Sequence, residues 1–167
     1  MKQINIQYYK RASTEFILGS FDNKLCMLDF RYRKMRTSVD NRMKKLLKAE
    51  YVIEDDEVLK EARNQLDAYF SMKAKDFDIP LLMVGTEFQK SVWKELIKIP
   101  YGQTKSYLEL SKSLGNEKAV RAVANANGAN ALSIIIPCHR VIGSDGSLTG
   151  YAGGLPLKQK LLELENN

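Results

Sequence analysis

"SYLELSKSLGNEKAVRAVANAN", residues 106–127, holds two short helical segments around a tight Gly115-Asn116 turn. Ser106 followed three residues later by Glu109 is a capping box, so the chain should enter a helix at "YLELSKSL". Gly115 closes that helix, because glycine takes the left-handed conformation at little cost, and Asn116 is placed to cap "EKAVRAVANAN". Two short helices about such a turn are the pattern of a helix-turn-helix. The same pattern occurs in any all-α domain, so the surrounding residues have to decide what it is for.

Upstream, Thr86 and Gln89 form a second capping box, for "EFQKSVWKELIKI", with Phe88, Val92 and Leu96 along one face and a stop at Pro100 and Gly102. Downstream, "SDGSLTGYAGGLPLKQKLLELE", residues 144–165, opens with a glycine-rich loop and closes with a helix carrying Pro156 in its first turn. The first third reads differently. "INIQYYKR", "TEFILGSF" and "KLCMLDFRYRK" alternate like strands, with Asp22-Asn23 as a hairpin turn between the last two. Two helices are predicted next: "SVDNRMKKLLKAEY", with Ser38 or Asp40 as its cap, and "DDEVLKEARNQLDAYF", with Val58, Ala62, Leu66 and Tyr69 on one face. "DFDIPLL" then reads as an extended linker, since Pro80 disfavours helix at the residue before it. The pattern predicts an α+β chain of two domains. Residues 1–80 form an amino-terminal α/β domain with a small antiparallel sheet, and residues 81–167 a mostly α domain containing the helix-turn-helix.

Composition narrows the chemistry. One histidine and two cysteines, Cys26 and Cys138, are too few for a closed zinc site and too far apart for a disulfide framework. No metal is expected, and a reducing, cytoplasmic setting is. The first sixteen residues have no apolar core of signal-peptide length, and no run of about 18 apolar residues occurs, so no membrane partner is expected. The net charge of +6 is spread along the chain, with 16 Lys and Arg against 13 Asp and Glu in residues 1–80 and 10 against 7 beyond. A mild basic excess favours a polyanionic partner.

The chemistry concentrates in "IIIPCHRVIGSDG", residues 134–146, where the only histidine follows Cys138 at the end of a strand-like apolar run. The thiolate is the reactive form of cysteine, and at an unperturbed pKa near 8.5 roughly 3% is ionised at pH 7. His139 can supply a base. Adjacent residues on an extended chain point to opposite faces, however, so a bridging water or a turn is needed to bring the two together. Taken alone, the pair is better read as a buried small hydrophobe beside a satisfied polar residue.

The segments "GTEFQKSVWKELIKIPYGQTKSY", "AVRAVANANGAN", "IPCHRV" and "GYAGGLPLKQKLLELE", in this order and spacing, resemble the O6-alkylguanine-DNA alkyltransferases, also called methylated-DNA–protein-cysteine S-methyltransferases. The resemblance implies a ribonuclease-H-like amino-terminal domain and a winged-helix-like carboxy-terminal domain. It implies direct-reversal DNA repair: the alkyl group of O6-alkylguanine, and also of O4-methylthymine, passes once to Cys138 after the base is flipped out through the minor groove. The protein is consumed in the act, as a suicide enzyme without a cofactor. The implied partner is double-stranded DNA containing O6-alkylguanine, met by a monomer.

Residue by residue, the resemblance makes His139 the base for Cys138 through a water, oriented by Glu165 of the final helix. Backbone carbonyls at Cys138 and Val141 accept from the exocyclic amine of the guanine, on an extended segment. Tyr107 donates toward N3 of the leaving purine, and a phenol with pKa near 10 keeps that proton at neutral pH. Tyr151 walls the base pocket, and the backbone amide of Ala152, where the family usually has serine, reaches O6. Asn130 tethers the second helix to the active-site segment, and Lys158 supports the pocket. Ala124 and Ala131 stand where relatives usually carry glycine and proline.

The second helix of the pair is small-sided for a physical reason. An α-helix is roughly 10–12 Å across and the B-form minor groove about 6 Å wide, so entry needs a widened groove and short side chains. Ala119, Ala122, Ala124 and Ala126 supply them. Arg121 among them matches the family's arginine finger, which fills the stack left by the flipped nucleotide. A lesion sensor without transfer is the alternative reading; relatives of that type replace the cysteine that is present here as Cys138. Cys26 lies in a strand-like run and is expected to be an inert core residue.

Overall fold

The computed structural model describes residues 2–167. The chain forms two compact units, Met1–Gly85 and Thr86–Asn167.

In the first unit, β1 (Lys2–Arg11), β2 (Thr14–Phe21) and β3 (Lys24–Phe30) form a meander. Asp22 and Asn23 both take positive φ, 53° and 59°, which is the two-residue hairpin turn that their side chains tolerate best. The next element departs from expectation. Helix α1 runs from Arg36 to Leu47, with Met35 at its N-cap and no side-chain cap. Ser38 is exposed on it, and Asp40 instead pairs with Arg36 at 3.0 Å and accepts from the Tyr51 hydroxyl at 2.6 Å. Lys48, at φ 52°, turns the chain out of the helix, and Ala49–Ile53 becomes β4.

β4 pairs parallel with β1, giving the order β3-β2-β1-β4. The sheet is therefore mixed rather than antiparallel. Nothing in "AEYVI" punctuates the boundary, because the left-handed residue is a lysine and not a glycine. Helix α2 (Glu57–Phe70) is capped by Asp56, whose side chain accepts from Leu59 N–H, and it buries Leu59, Ala62, Leu66 and Tyr69 while Val58 is only half-buried. On the outer edge of β3, Leu25 N–H bonds Pro80 C=O at 2.8 Å and Leu82 N–H bonds Leu25 C=O at 2.9 Å. The extended segment thus covers a strand edge that would otherwise be open.

The second unit is helical. Helix α3 (Glu87–Ile97) begins at the Thr86–Gln89 capping box and α4 (Tyr107–Ser113) at the Ser106–Glu109 box, both with reciprocal bonds formed. Phe88 stays exposed, and Trp93 takes the buried place beside Val92 and Leu96. Gly115 sits at φ 79°, a 3₁₀ turn covers Glu117–Ala119, and α5 runs from Val120 to Gly128. β5 (Lys105–Ser106) pairs in parallel with β6 (Val141–Ile142), and α6 spans Leu155–Glu165. Trp93 fixes α5 in depth: its indole Nε1–H donates to Ala126 C=O at 2.8 Å, both residues being buried.

Trp93→Phe keeps the apolar body and removes this bond, while Ala126 C=O keeps a contact from Ala129 N–H at 3.2 Å. Loss of the single bond should lower stability by about 1–2 kcal/mol in urea unfolding, with an unchanged m value.

Candidate active site

Cys138 does not lie on a strand. The apolar run ahead of it is folded back by Asn130, whose side chain accepts from Leu132 N–H at 2.9 Å and donates to Ile136 C=O at 2.8 Å. Between these anchors Ile134 takes φ 73°, and Ile135 N–H bonds Ser133 C=O at 2.9 Å, which makes a three-residue γ-turn. A β-branched residue in this region is strained, and it persists because the buried surroundings hold it. Ile134 and Ile136 are both buried. After Pro137 the chain enters a 3₁₀ turn, Cys138–Arg140, rather than the extended segment expected, and leaves it at Val141 in extended conformation. Val141 N–H donates to Cys138 C=O.

The turn places Cys138, His139 and Arg140 in the interior together. His139 Nε2 lies 2.7 Å from Glu165 Oε2, both side chains being wholly buried. Arg140, to which sequence reading assigned no role, grips the same carboxylate through Nε to Oε1 at 2.8 Å and Nη2 to Oε2 at 3.0 Å. Its third nitrogen, Nη1, donates to Ile99 C=O at 2.7 Å. The only advance signal was the arginine's place next to the histidine. The other ring nitrogen, His139 Nδ1, is buried without a hydrogen-bond partner.

Burial pushes His139 below the ordinary imidazole value; Glu165 pulls it back, and the Arg140 and Lys158 cations add to the depression. Burial likewise raises Tyr107, so its phenol stays protonated across neutral pH. Lys158 is also buried, and burial depresses its pKa, with the Cys138 thiol acting in the opposite sense. Its ammonium donates to Thr149 C=O at 2.8 Å and Gly150 C=O at 3.3 Å, which ties the glycine-rich loop to α6. Tyr107 reaches the same loop with a long bond to Thr149 C=O at 3.5 Å. Tyr151 sets its ring edge-on to His139, centroids 6.5 Å apart, and Ala152 is half-buried in the turn that follows.

Asn127 was not singled out in the sequence. It is buried on α5, its Oδ1 has no hydrogen-bond partner, and its side chain acts on the Tyr107 phenol. The remaining predicted residues lie on this helix or at its N-cap. Arg121 and Ala122 are exposed, Ala119 and Ala124 are half-buried, and Ala126 belongs to the core under Trp93. Cys26 is 1% exposed in β3, and burial pushes its thiol up to about 12. Among the described residues no group of His, Cys, Asp and Glu is placed to hold a metal ion, and no helix is long and apolar enough to cross a membrane.

A cysteine beside a base that is itself held by a carboxylate is the arrangement of a thiol nucleophile. It lies in a helical unit whose helix pair leaves one arginine-bearing face in solvent; Asn116 caps the 3₁₀ turn before α5, which itself has no side-chain cap. Residues 87–167 match the DNA-binding domain of 6-O-methylguanine DNA methyltransferase, and residues 8–83 match its ribonuclease-like domain; the chain belongs to this family. The methylated-DNA–protein-cysteine methyltransferase of Methanosarcina barkeri is 57% identical over 115 residues, 69% of this chain and 73% of that protein. The crystal structure of the Mycobacterium tuberculosis O6-methylguanine methyltransferase superposes with a TM-score of 0.80 at 37% identity, covering 98% of this chain and 93% of that one. The Mycobacterium tuberculosis OGT solved in complex with DNA gives a TM-score of 0.79 at 37% identity, over 98% and 92%.

A histidine kept neutral by burial has a stated cost in acid. The unfolded chain takes up a proton near pH 6.5 while the folded chain does not, so the unfolded state binds more protons below that value. Stability present above pH 6.5 should therefore fall as the pH drops below that value, and thermal melts of His139→Gln should be flatter there.

Proposed function

We propose that this protein repairs DNA by transferring the alkyl group of O6-alkylguanine in a duplex to its own Cys138, once per molecule. The observation that carries the reading is the buried His139–Glu165 pair at 2.7 Å, with the adjoining His139 Nδ1 unpartnered one residue from the thiol. Nδ1 takes the thiol proton through a bridging water. The sulfur then attacks the alkyl carbon, the bond from that carbon to O6 breaks, and a new C–S bond forms. The leaving guanine receives a proton at N3 from Tyr107, and the imidazolium returns its proton to the phenolate through solvent. No metal or cofactor takes part in these steps.

Substrate placement follows from the same unit. Cys138 and Val141 offer carbonyls to the exocyclic amine, Tyr151 walls the base, and Ala152 N–H faces O6. Asn130 holds the turn under the cysteine, while Lys158 holds the loop over it. α5 and the 3₁₀ turn before it, with exposed Arg121 and Ala122 and half-buried Ala119 and Ala124, enter the minor groove, and Arg121 fills the stack from which the base is flipped. O4-methylthymine presents the same alkyl–oxygen chemistry and is taken as a second substrate. The protein works as a monomer in the cytoplasm, and residues 1–80 and 81–167 act as its amino-terminal and DNA-handling domains. A sensor that only marks the lesion needs no acceptor thiol with an oriented base behind it.

A thioether is a poor leaving group, so transfer should stop at one alkyl group per protein molecule. Incubation with excess duplex containing O6-methylguanine, followed by peptide mass measurement, should find one methyl on the Cys138 peptide. Cys138→Ala should bind the duplex and transfer nothing. A methyl on Cys26 in that variant, or continued turnover in the wild type, would overturn the mechanism.

Arg121 acts only when a stack has to be refilled. Arg121→Ala should slow repair in duplex DNA roughly tenfold or more, the equivalent of part of an unstacking cost of a few kcal/mol, and leave reaction with free O6-benzylguanine nearly unchanged. Equal losses on both substrates would show that Arg121 supports the fold instead.

A further inference from the structure

A carboxylate has two oxygens with about four acceptor positions. At Glu165 four donors surround them: His139 Nε2 at 2.7 Å and Arg140 Nη2 at 3.0 Å on Oε2, with Arg140 Nε at 2.8 Å and Gly102 N–H at 3.4 Å on Oε1. No acceptor position is left over, and the carboxylate cannot turn. The guanidinium is itself fixed by its bond to Ile99 C=O at 2.7 Å and by the Tyr101 ring, 5.7 Å from its centre.

We propose that Arg140 is a positioning residue for alkyl transfer: by immobilising both oxygens of Glu165 it fixes His139 as the tautomer protonated at Nε2 and leaves Nδ1 as the base. The inference deepens the transfer reading and rests on it for the role of Nδ1. The chemistry is direct. A carboxylate paired through both oxygens with a guanidinium stays ionised and can only accept, so the hydrogen shared at 2.7 Å must sit on Nε2. Nδ1 is then the lone-pair nitrogen, and it is the one without a partner. A lysine cannot reproduce this, because its single ammonium has no fork to span two oxygens.

Arg140 also sets the charge of the site. The groups around His139 are Arg140 and Cys138 on either side of it in the turn, Glu165 and Lys158 from α6, and the Tyr151 ring from the glycine-rich loop. Removing the Arg140 cation leaves the Glu165 anion uncompensated beside the ring, and this favours the imidazolium. The base would then be occupied by a proton at pH values where the wild type has it free.

The chain has one histidine, so nitrogen-15 NMR of that ring reports tautomer and protonation without ambiguity. Wild type should show hydrogen on Nε2 and a neutral ring to below the ordinary imidazole range. Arg140→Gln should raise the titration midpoint by about one pH unit and cut benzyl transfer from O6-benzylguanine to Cys138 about tenfold on the acid side. Arg140→Lys should hold the midpoint near wild type, slow transfer, and show both tautomers. A wild-type ring carrying its hydrogen on Nδ1, or an Arg140→Gln midpoint that does not move, overturns the inference. Should Arg140→Gln fail to fold, Arg140→Lys decides, and a ring wholly in the Nε2 form there overturns it. Wild-type protein with the expected ring state but no benzyl on Cys138 would sink the transfer reading and leave the role of Arg140 in orienting the ring intact.

Discussion

The Glu165 carboxylate is the point on which the site depends. It is buried, and an isolated buried carboxylate is unstable by several kcal/mol unless donors surround it. Here they come from two places: the imidazole and guanidinium of the turn after Pro137, and the backbone at Gly102. The last turn of α6, the segment after α3 and the cysteine turn are thereby drawn to one spot. Gly102 takes φ 80°, and a Cβ there would stand 3.0 Å from Glu165 C=O, so both its conformation and the close approach call for glycine. Removing any one donor leaves a charge or a lone pair in the dark, which is why the arrangement holds its geometry so firmly.

How much of this was readable in the sequence follows from the range of each interaction. Caps are local, so Thr86–Gln89, Ser106–Glu109 and the Asp22-Asn23 turn were legible and form as read. β4 was hidden because its only boundary mark is Lys48 in a conformation that lysine rarely takes. Helix α1 begins at Arg36, upstream of both expected caps, and Asp40 lies inside it, bonded to Arg36 and Tyr51. The cysteine turn was hidden for the opposite reason. "IIIP" has strand-like composition, and what folds it back is one asparagine side chain four residues upstream of Ile134 reaching both ends of the loop. Cys138, His139 and Glu165 were singled out by motif, whereas Arg140 acquires its meaning only once α6 has come alongside.

The first unit shows that buried charge is not by itself a functional sign. Asp29 is wholly buried in β3 and receives Arg33 at 3.1 Å and Arg36 at 3.0 Å. The number of ionic partners resembles that at Glu165, yet the arginines come from the strand-to-helix connection and from the first residue of α1. Such a cluster joins β3 to α1. At Glu165 the ring adds a nitrogen without a partner, and an unsatisfied buried acceptor calls for an explanation that packing does not give.

The two cysteines make the same distinction with one atom type. Cys26 and Cys138 are 1% and 4% exposed, so burial alone does not separate them. Cys26 sits among strand residues with Asp56 as its charged neighbour, and both burial and that anion raise its thiol, leaving it a small hydrophobe. Cys138 opens a tight turn with an imidazole next in sequence, and it stands close enough to the Lys158 ammonium for the two to affect each other's charge. The ammonium is held by loop carbonyls, which carry no full negative charge to cancel it. The cation and the base stand beside this thiol before any charge appears, so little has to reorganise when one does.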